Sequence, residues 1–363
     1  MTGKPSPALG LPGAVPPPPI AVDQGVPWHY GDPHGEQRRL AAGRAIVDQS
    51  NLAVLTVGGP DRLTWLHSLT SGWLADLAPG QSATALVLDP QGHVEFELHV
   101  VDDGEQTWLI VEPEVASALH DYLDRMRFLL RVEVADVTTD CAVLWRADGG
   151  REGQLAWQVP AEYAGTGTTP AGSDRGGEAT KYVGERPGRL LGAQVIVPRG
   201  DLLAELAGGA EAEAVSDAAT GLAGTWALEA LRVAAGMPRL GCETDHKTIP
   251  HEVGWIGPAV HLAKGCYRGQ ETVARVHNMG RPPRRLVLLH LDGAAEGLPD
   301  HGDAVFSGER QVGWIGTPAR HHELGPIATA IVKRSVPDDA ALLVAPADGS
   351  ASIAAAVEPI VLG

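Results

Sequence analysis

Lys264, Gly265, Cys266, Tyr267, Arg268, Gly269, Gln270 and Glu271 follow one another directly, gathering a cation, a thiol, a phenol, a second cation, an amide and a carboxylate around two glycines. Such a set serves chemistry better than packing. The glycines permit backbone angles closed to other residues, so the side chains between them are presented from a tight turn. The run from Gln270 through Arg275 reads as helix, which puts Cys266 just ahead of a helix N-terminus with Lys264 and Arg268 on either side. The positive helix end and both cations favour thiolate, the reactive form of cysteine. The alternative for Cys266 is a small buried hydrophobe, a common fate of free cysteine.

Other reactive types crowd nearby. Met237 to His251 carries Arg239, Glu243, Asp245, His246, Lys247 and His251 without apolar period. It reads either as a solvated face or as the wall of a cleft. His246, His251, His261 and Cys266 fit none of the compact ligand pairs of structural zinc, so no metal site is assigned. One cysteine turn does not hold an iron-sulfur cluster, which takes about four thiolates. The basic knot Arg281-Pro282-Pro283-Arg284-Arg285 is either a stiff linker or a recogniser of an anionic tail, for which arginine forks are suited. No Gly-rich phosphate loop of P-loop or Rossmann form follows a strand.

Composition bounds what these residues can serve. A chain of 363 residues exceeds what one core usually organises, so two or three domains are expected. With 28 Lys plus Arg against 45 Asp plus Glu the formal charge is -17, which repels nucleic acid and anionic membranes at long range. The three cysteines, Cys141, Cys242 and Cys266, are far apart and give neither a disulfide framework nor a zinc knuckle, which points to a reducing compartment. No apolar run approaches the roughly 18 residues that cross a bilayer, and the N-terminus lacks the grammar of a secretory signal; the expected location is cytoplasmic.

Residues 1–27, rich in Pro, Gly and Ala, read as a disordered, flexible or polyproline tail. Strands are expected over Arg44 to Val47, Leu52 to Val57, Ser82 to Leu88, His93 to Val100, Thr107 to Val111 and Val132 to Val137, with helices from Pro60 to Leu69 and after Pro113. The short connections make this an antiparallel α+β unit. Tyr163 to Arg189 reads as a long loop or insertion, Gly192 to Pro198 as a strand, and Trp226 to Ala235 as a clear helix. From Arg284 onward, many short strands separated by turn residues indicate a small all-β barrel.

The octapeptide resembles the Lys-Gly-Cys-Tyr-x-Gly-Gln-Glu signature of the YgfZ-type folate-binding proteins, relatives of the glycine-cleavage T-protein (aminomethyltransferase). His29-Tyr30-Gly31, Val47-Asp48-Gln49-Ser50, Leu88-Asp89-Pro90-Gln91-Gly92, Leu231-Arg232-Val233-Ala234-Ala235-Gly236 and Ile249-Pro250-His251-Glu252 resemble family segments in their usual order. The resemblance implies an α+β chain of two ferredoxin-like units, one of them discontinuous, plus a C-terminal antiparallel β-barrel, around a central tetrahydrofolate pocket. Its domains would be residues 28–52 with 137–280, carrying the signature loop; 53–136; and 281–363. By analogy Lys264 and Cys266 form the functional core, with Tyr267 and Arg268 beside the folate and Glu229 and Arg232 on a helix near it. Gln270 and Glu271 would brace the loop. True aminomethyltransferases carry an Asp-Asp pair that falls here on Phe96 and Glu97, and only Glu97 can do a carboxylate's acid-base work.

Two functions follow from the resemblance. One is a tetrahydrofolate-binding accessory factor for iron-sulfur protein assembly or repair, with iron-sulfur client or assembly proteins as partners and Cys266 as the contact. The other is a folate-dependent aminomethyl- or methyltransferase, so whether the chain is an enzyme is left open. A role in modifying transfer RNA has been attached to the family, but the acidic balance disfavours direct RNA binding except through Arg281 to Arg285. The expected state is a monomer.

Overall fold

The computed structural model describes residues 5–164, 188–213, 221–295 and 297–360, so most of the insertion expected over Tyr163 to Arg189 lies outside the described residues. Contacts divide the chain into two compact units. Met1–Ala85, Phe96–Pro160 and Leu190–Glu229 form the first; Leu86–Glu95, Ala161–Arg189 and Ala230–Gly363 form the second. The signature loop, expected with the discontinuous α+β part, is thereby grouped with the barrel.

In the first unit, α1 (Pro33–Ala41) leads into β1 (Ala45–Asp48), β2 (Ala53–Gly58) and α2 (Arg62–Leu69). Then come β3 (Ser82–Leu88) and β4 (Val94–Asp102), of which Leu86–Leu88 and Val94–Glu95 belong to the second unit, and β5 (Gln106–Val111), α3 (Ala116–Met126) and β6 (Glu133–Asp136). β3, β4, β5, β2 and β6 lie side by side in that order as one sheet. Leu119, Tyr122 and Leu123 recur on one face of α3 and are buried, the spacing that packs this helix against β2 and β6. A second sheet takes β7 (Cys141–Arg146), β8 (Leu155–Gln158), β9 (Ala193–Pro198) and β10 (Gly221–Ala223) in the order β10-β1-β7-β9-β8. One pair in it, β1 with β10, is parallel. β8 escaped the sequence reading because four residues give too little alternation.

The proline-rich stretch is not a loose tail. Among its described residues, Pro7–Gly10 form a 3-10 turn and the Ser6 hydroxyl donates to the Asp48 carboxylate at 2.5 Å. Ala8 is fully buried in an apolar cluster with Ile46, Leu144, Val195 and Leu222. Prolines already have φ fixed, so ordering such a segment costs less entropy than ordering an ordinary coil. Burial without side-chain period leaves no mark that a sequence reading detects.

The second unit holds α4 (Ala161–Ala164) and, after α5 (Leu202–Glu213) of the first unit, the C-terminal part of α6 (Thr225–Ala234), then α7 (Gln270–Met279) and the barrel. Its strands are β11 (Arg284–Leu291), β12 (Ala304–Ser307), β13 (Arg310–His321), β14 (Gly325–Lys333), β15 (Ala341–Ala345) and β16 (Ile353–Pro359). They close antiparallel in the order β11-β14-β13-β12-β15-β16, which removes the open edges of a flat sheet. β11 is almost continuously apolar because both its faces are covered. Val287, Leu289 and Leu291 join the cluster of Val305, Ile315, Val332 and Val344, while Leu286 and Leu288 pack with Val233, Trp255, Tyr267 and Val273.

Within Met237 to His251, His246 and Lys247 are exposed while Glu243 and Asp245 turn onto arginines of the same unit. Glu243, with no exposed surface, meets Arg232 at 3.0 Å and accepts from the hydroxyls of Thr317 and Thr329 at 2.6 Å each. Gly316 leaves room for this approach, since a Cβ there would stand 2.7 Å from Thr329 Oγ1 and 3.1 Å from Glu243 Oε1. Burial alone would raise the Glu243 carboxyl; the Arg232 charge and the two threonine hydrogen bonds outweigh it and hold the group below its ordinary range. Arg284 likewise bridges Asp245 at 2.6 Å and Glu252 at 2.8 Å.

Candidate functional site

In the second unit the signature loop leaves Gly265 and Cys266 exposed while Lys264 and Tyr267 on either side are buried. The structure therefore rejects the buried-hydrophobe reading of Cys266; the buried thiol is Cys242. Tyr267 anchors the loop in the cluster around Trp255 and Val273, and burial pushes its phenol up to about 12. Lys264 Nζ stands 5.3 Å from the centre of that ring, and burial brings its ammonium down to about 8. The Gln270 side chain donates to the Lys264 carbonyl at 3.1 Å and closes the loop. Arg268 pairs with Glu95 at 2.9 Å, so its charge is not devoted to the thiol.

The two glycines divide the work unequally. Gly269 sits at φ +81, and a Cβ there would fall 2.6 Å from the Asp89 carbonyl and 3.0 Å from Gly92 Cα. Gly265 has ordinary φ and open space around it. The Asp89-Pro90-Gln91-Gly92 turn is rigid in its own right. Its Asp89 carboxylate accepts from the Gln91 and His93 amides at 2.8 Å each and meets His93 Nδ1 at 2.8 Å. Gly269→Ala is expected to cost about 2 kcal/mol, because a left-handed residue gains a Cβ against fixed backbone. Gly265→Ala is expected to stay within about 0.5 kcal/mol. Urea midpoints of the two variants side by side check this, and equal midpoints would refute it.

The first unit holds a second cluster. Phe96 and Glu97 are adjacent on β4 and point to opposite faces. Phe96 packs toward Tyr122 of α3, ring centres 6.2 Å apart. Glu97, 8% exposed, faces the other way together with His99. The His99 ring lies flat on the Trp157 indole, with centres 3.6 Å apart and planes within 1°. His99 Nδ1 meets Gln194 Oε1 at 2.6 Å, and Gln194 Nε2 donates to Gln49 Oε1 at 3.1 Å. With Gln194 so oriented, Nδ1 carries the proton, and Nε2 is left pointing at Glu97 Oε1, 3.6 Å away. The Trp157 indole N–H donates to Thr84 at 3.2 Å. A carboxylate, an imidazole, two amides and an indole thus meet in a buried place between two sheets, an arrangement built for acid-base work or for reading a polar ring.

Of the predicted residues, Lys264, Cys266, Tyr267 and Arg268 share one loop, and Glu97 stands in the cluster of the first unit. Glu229 is half-buried on α6, three positions before Arg232. Arg232, expected near a cofactor, is 5% exposed and held by Glu243, Thr317 and the Met237 carbonyl, a structural set of partners. His99, Trp157 and Gln194 escaped the sequence reading. The available signals were a histidine two residues beyond Glu97, hence on its face, and a lone amide in the otherwise apolar β9.

No family model matches the chain. It is 27% identical over 328 residues to an aminomethyltransferase of Streptomyces avermitilis, covering 85% of this chain and 83% of that protein. An aminomethyltransferase of Geobacillus kaustophilus is 27% identical over 322 residues, covering 86% and 85%. The crystal structure of the glycine cleavage system aminomethyltransferase T from Bartonella henselae superposes with a TM-score of 0.71 at 18% identity, covering 95% of this chain and 93% of that one. This chain has the aminomethyltransferase fold. The relatives found are aminomethyltransferases; none of these comparisons reports the narrower YgfZ type that the signature loop and the other segments resemble.

Proposed function

We propose that this chain binds tetrahydrofolate, or a one-carbon-substituted folate, and transfers a one-carbon group on it, with Glu97 handling the proton. The carrying observation is the position of Glu97: the surviving carboxylate of the expected pair turns into the buried cluster with His99, Gln194 and Trp157, not toward α3. The likeness to aminomethyltransferases along more than four fifths of the chain supports the same reading. Moving a one-carbon unit between a folate nitrogen and an amine requires a proton to be given to or taken from nitrogen. A buried carboxylate beside an imidazole is suited to that task. The folate supplies the carbon-carrying nitrogens; Gln194, Gln49 and Thr84 offer the hydrogen-bonding edges that would orient a flat polar ring.

The test is to titrate the purified full-length protein with tetrahydrofolate and then supply an aminomethyl donor or methylated amines. Binding with formation of a one-carbon folate is expected. Binding without turnover would remove the transferase reading.

A second reading draws on Cys266, an exposed thiol on a loop whose neighbours are buried. In it the chain serves iron-sulfur client or assembly proteins, with the folate site as an accessory. Unchanged iron-sulfur enzyme activity in a strain carrying Cys266→Ala in place of this gene would dismiss it. Among the described residues no helix is long and apolar enough to cross a membrane.

A further inference from the structure

We propose that the barrel corner formed by Arg281, Lys333, Arg334 and Ser335 binds a phosphate-type dianion, at a site separate from both clusters above. Topology builds it. β11 begins where β14 ends, with Arg284 opposite Lys333, and the Arg334 amide donates to the Pro283 carbonyl at 3.0 Å. Cations just before β11 and at the end of β14 are thereby brought to one corner. They line an open groove of about 560 Å³ together with Pro283 and Ser335, and no carboxylate lines it.

The remaining arginines of the same basic stretch behave differently. Arg284 is held by Asp245 and Glu252, and Arg285 by Asp338 and the Val336 carbonyl. The chain thus pairs two of its arginines internally and leaves Arg281 and Arg334 at the groove. The cost of that grouping is visible at Arg334, whose guanidinium is pushed below its ordinary range by burial and then by the charges of Arg281 and Arg285. In a chain of net charge -17 acidic partners are plentiful, and grouped cations without one are relieved by a bound anion. Two guanidinium forks and a hydroxyl, beside a Lys333 ammonium that also donates to the Gln311 carbonyl at 3.1 Å, offer donors that fit a tetrahedral, doubly charged oxyanion. No aromatic ring lines the groove, so the charged group alone is read, whether it arrives as free phosphate or at the end of a larger molecule.

Isothermal titration of the full chain with inorganic phosphate at low ionic strength is expected to show saturable one-site binding. That binding should weaken at least about tenfold in Arg281→Ala/Arg334→Ala and also weaken in added salt. Arg281→Lys separates loss of the fork from loss of charge, and its thermal midpoint together with that of the double variant confirms that both fold. A phosphomonoester such as glycerol phosphate, run beside inorganic phosphate, tells an esterified ligand from the free ion. Absence of saturable binding, unchanged affinity in the folded double variant, or binding of triglutamate but not of inorganic phosphate would each overturn the assignment.

Discussion

Glu97→Gln is expected to lower kcat for one-carbon transfer by about 10²- to 10⁴-fold, the usual contribution of a positioned acid or base, while tetrahydrofolate still binds. Gln has nearly the same shape, so the packing between the two sheets of the first unit survives; only the capacity to hold and release a proton is lost. His99 Nε2 then faces an amide across the 3.6 Å gap instead of a carboxylate. The informative control is Phe96→Leu, one residue away on the opposite face against Tyr122. It is expected to cost stability with little effect on kcat. Steady-state rates for both variants, with folate affinity measured separately, decide the matter. A Glu97→Gln enzyme as fast as wild type would shift attention to the thiol loop.

Glu243→Ala is expected to destabilise the second unit by about 3–5 kcal/mol, the cost of stripping one partner from a buried ion pair. Arg232 would keep the Met237 carbonyl and Thr317, while the Arg239 amide and the Thr329 hydroxyl would lose an acceptor. The pH dependence carries the signature of the pair. The Glu243 carboxyl lies below its ordinary range in the folded chain, so the folded state binds fewer protons there than the unfolded state. Its contribution is therefore fully present above the ordinary carboxylate range and is lost as pH falls through the depressed folded value. Urea unfolding at neutral and acidic pH checks both statements. The gap between wild type and Glu243→Ala should narrow on acidification. Arg232→Met combined with Glu243→Leu should recover part of the loss, because removing both charges leaves none buried alone.

Much of the architecture was legible in the residues. Alternation and turn chemistry marked β3, β4, β5 and most of the barrel; of the two signature glycines read as needing unusual backbone angles, only Gly269, the N-cap of α7, takes one. The barrel strands β13 and β14 ran longer than their apolar cores suggested, since pairing extends across a bulge at Ile315 to Pro318 into residues with little alternation. At the site, the sequence singled out Cys266 and Glu97 by type; the structure leaves the first exposed and sets the second, buried, beside His99. Arg232, expected near a cofactor, pairs with Glu243; residue type does not show this, because an arginine on a helix looks the same whether its partner is a ligand or a carboxylate eleven residues away.

By itself, then, the sequence determined what depends on near neighbours: strand periods, helix ends and the turn at Asp89; the exposure of Cys266 between buried Lys264 and Tyr267 came from the fold. Only the tertiary structure decided which distant groups meet. His99 finds Gln194 across 95 residues, Gln194 finds Gln49 across 145, and Ser6 reaches Asp48 from a stretch that carries no periodic signal. The physical reason is that a buried polar group must be satisfied by whatever donor or acceptor the packing brings to it. That partner is chosen by the path of the whole chain, and residue type records only that one is needed.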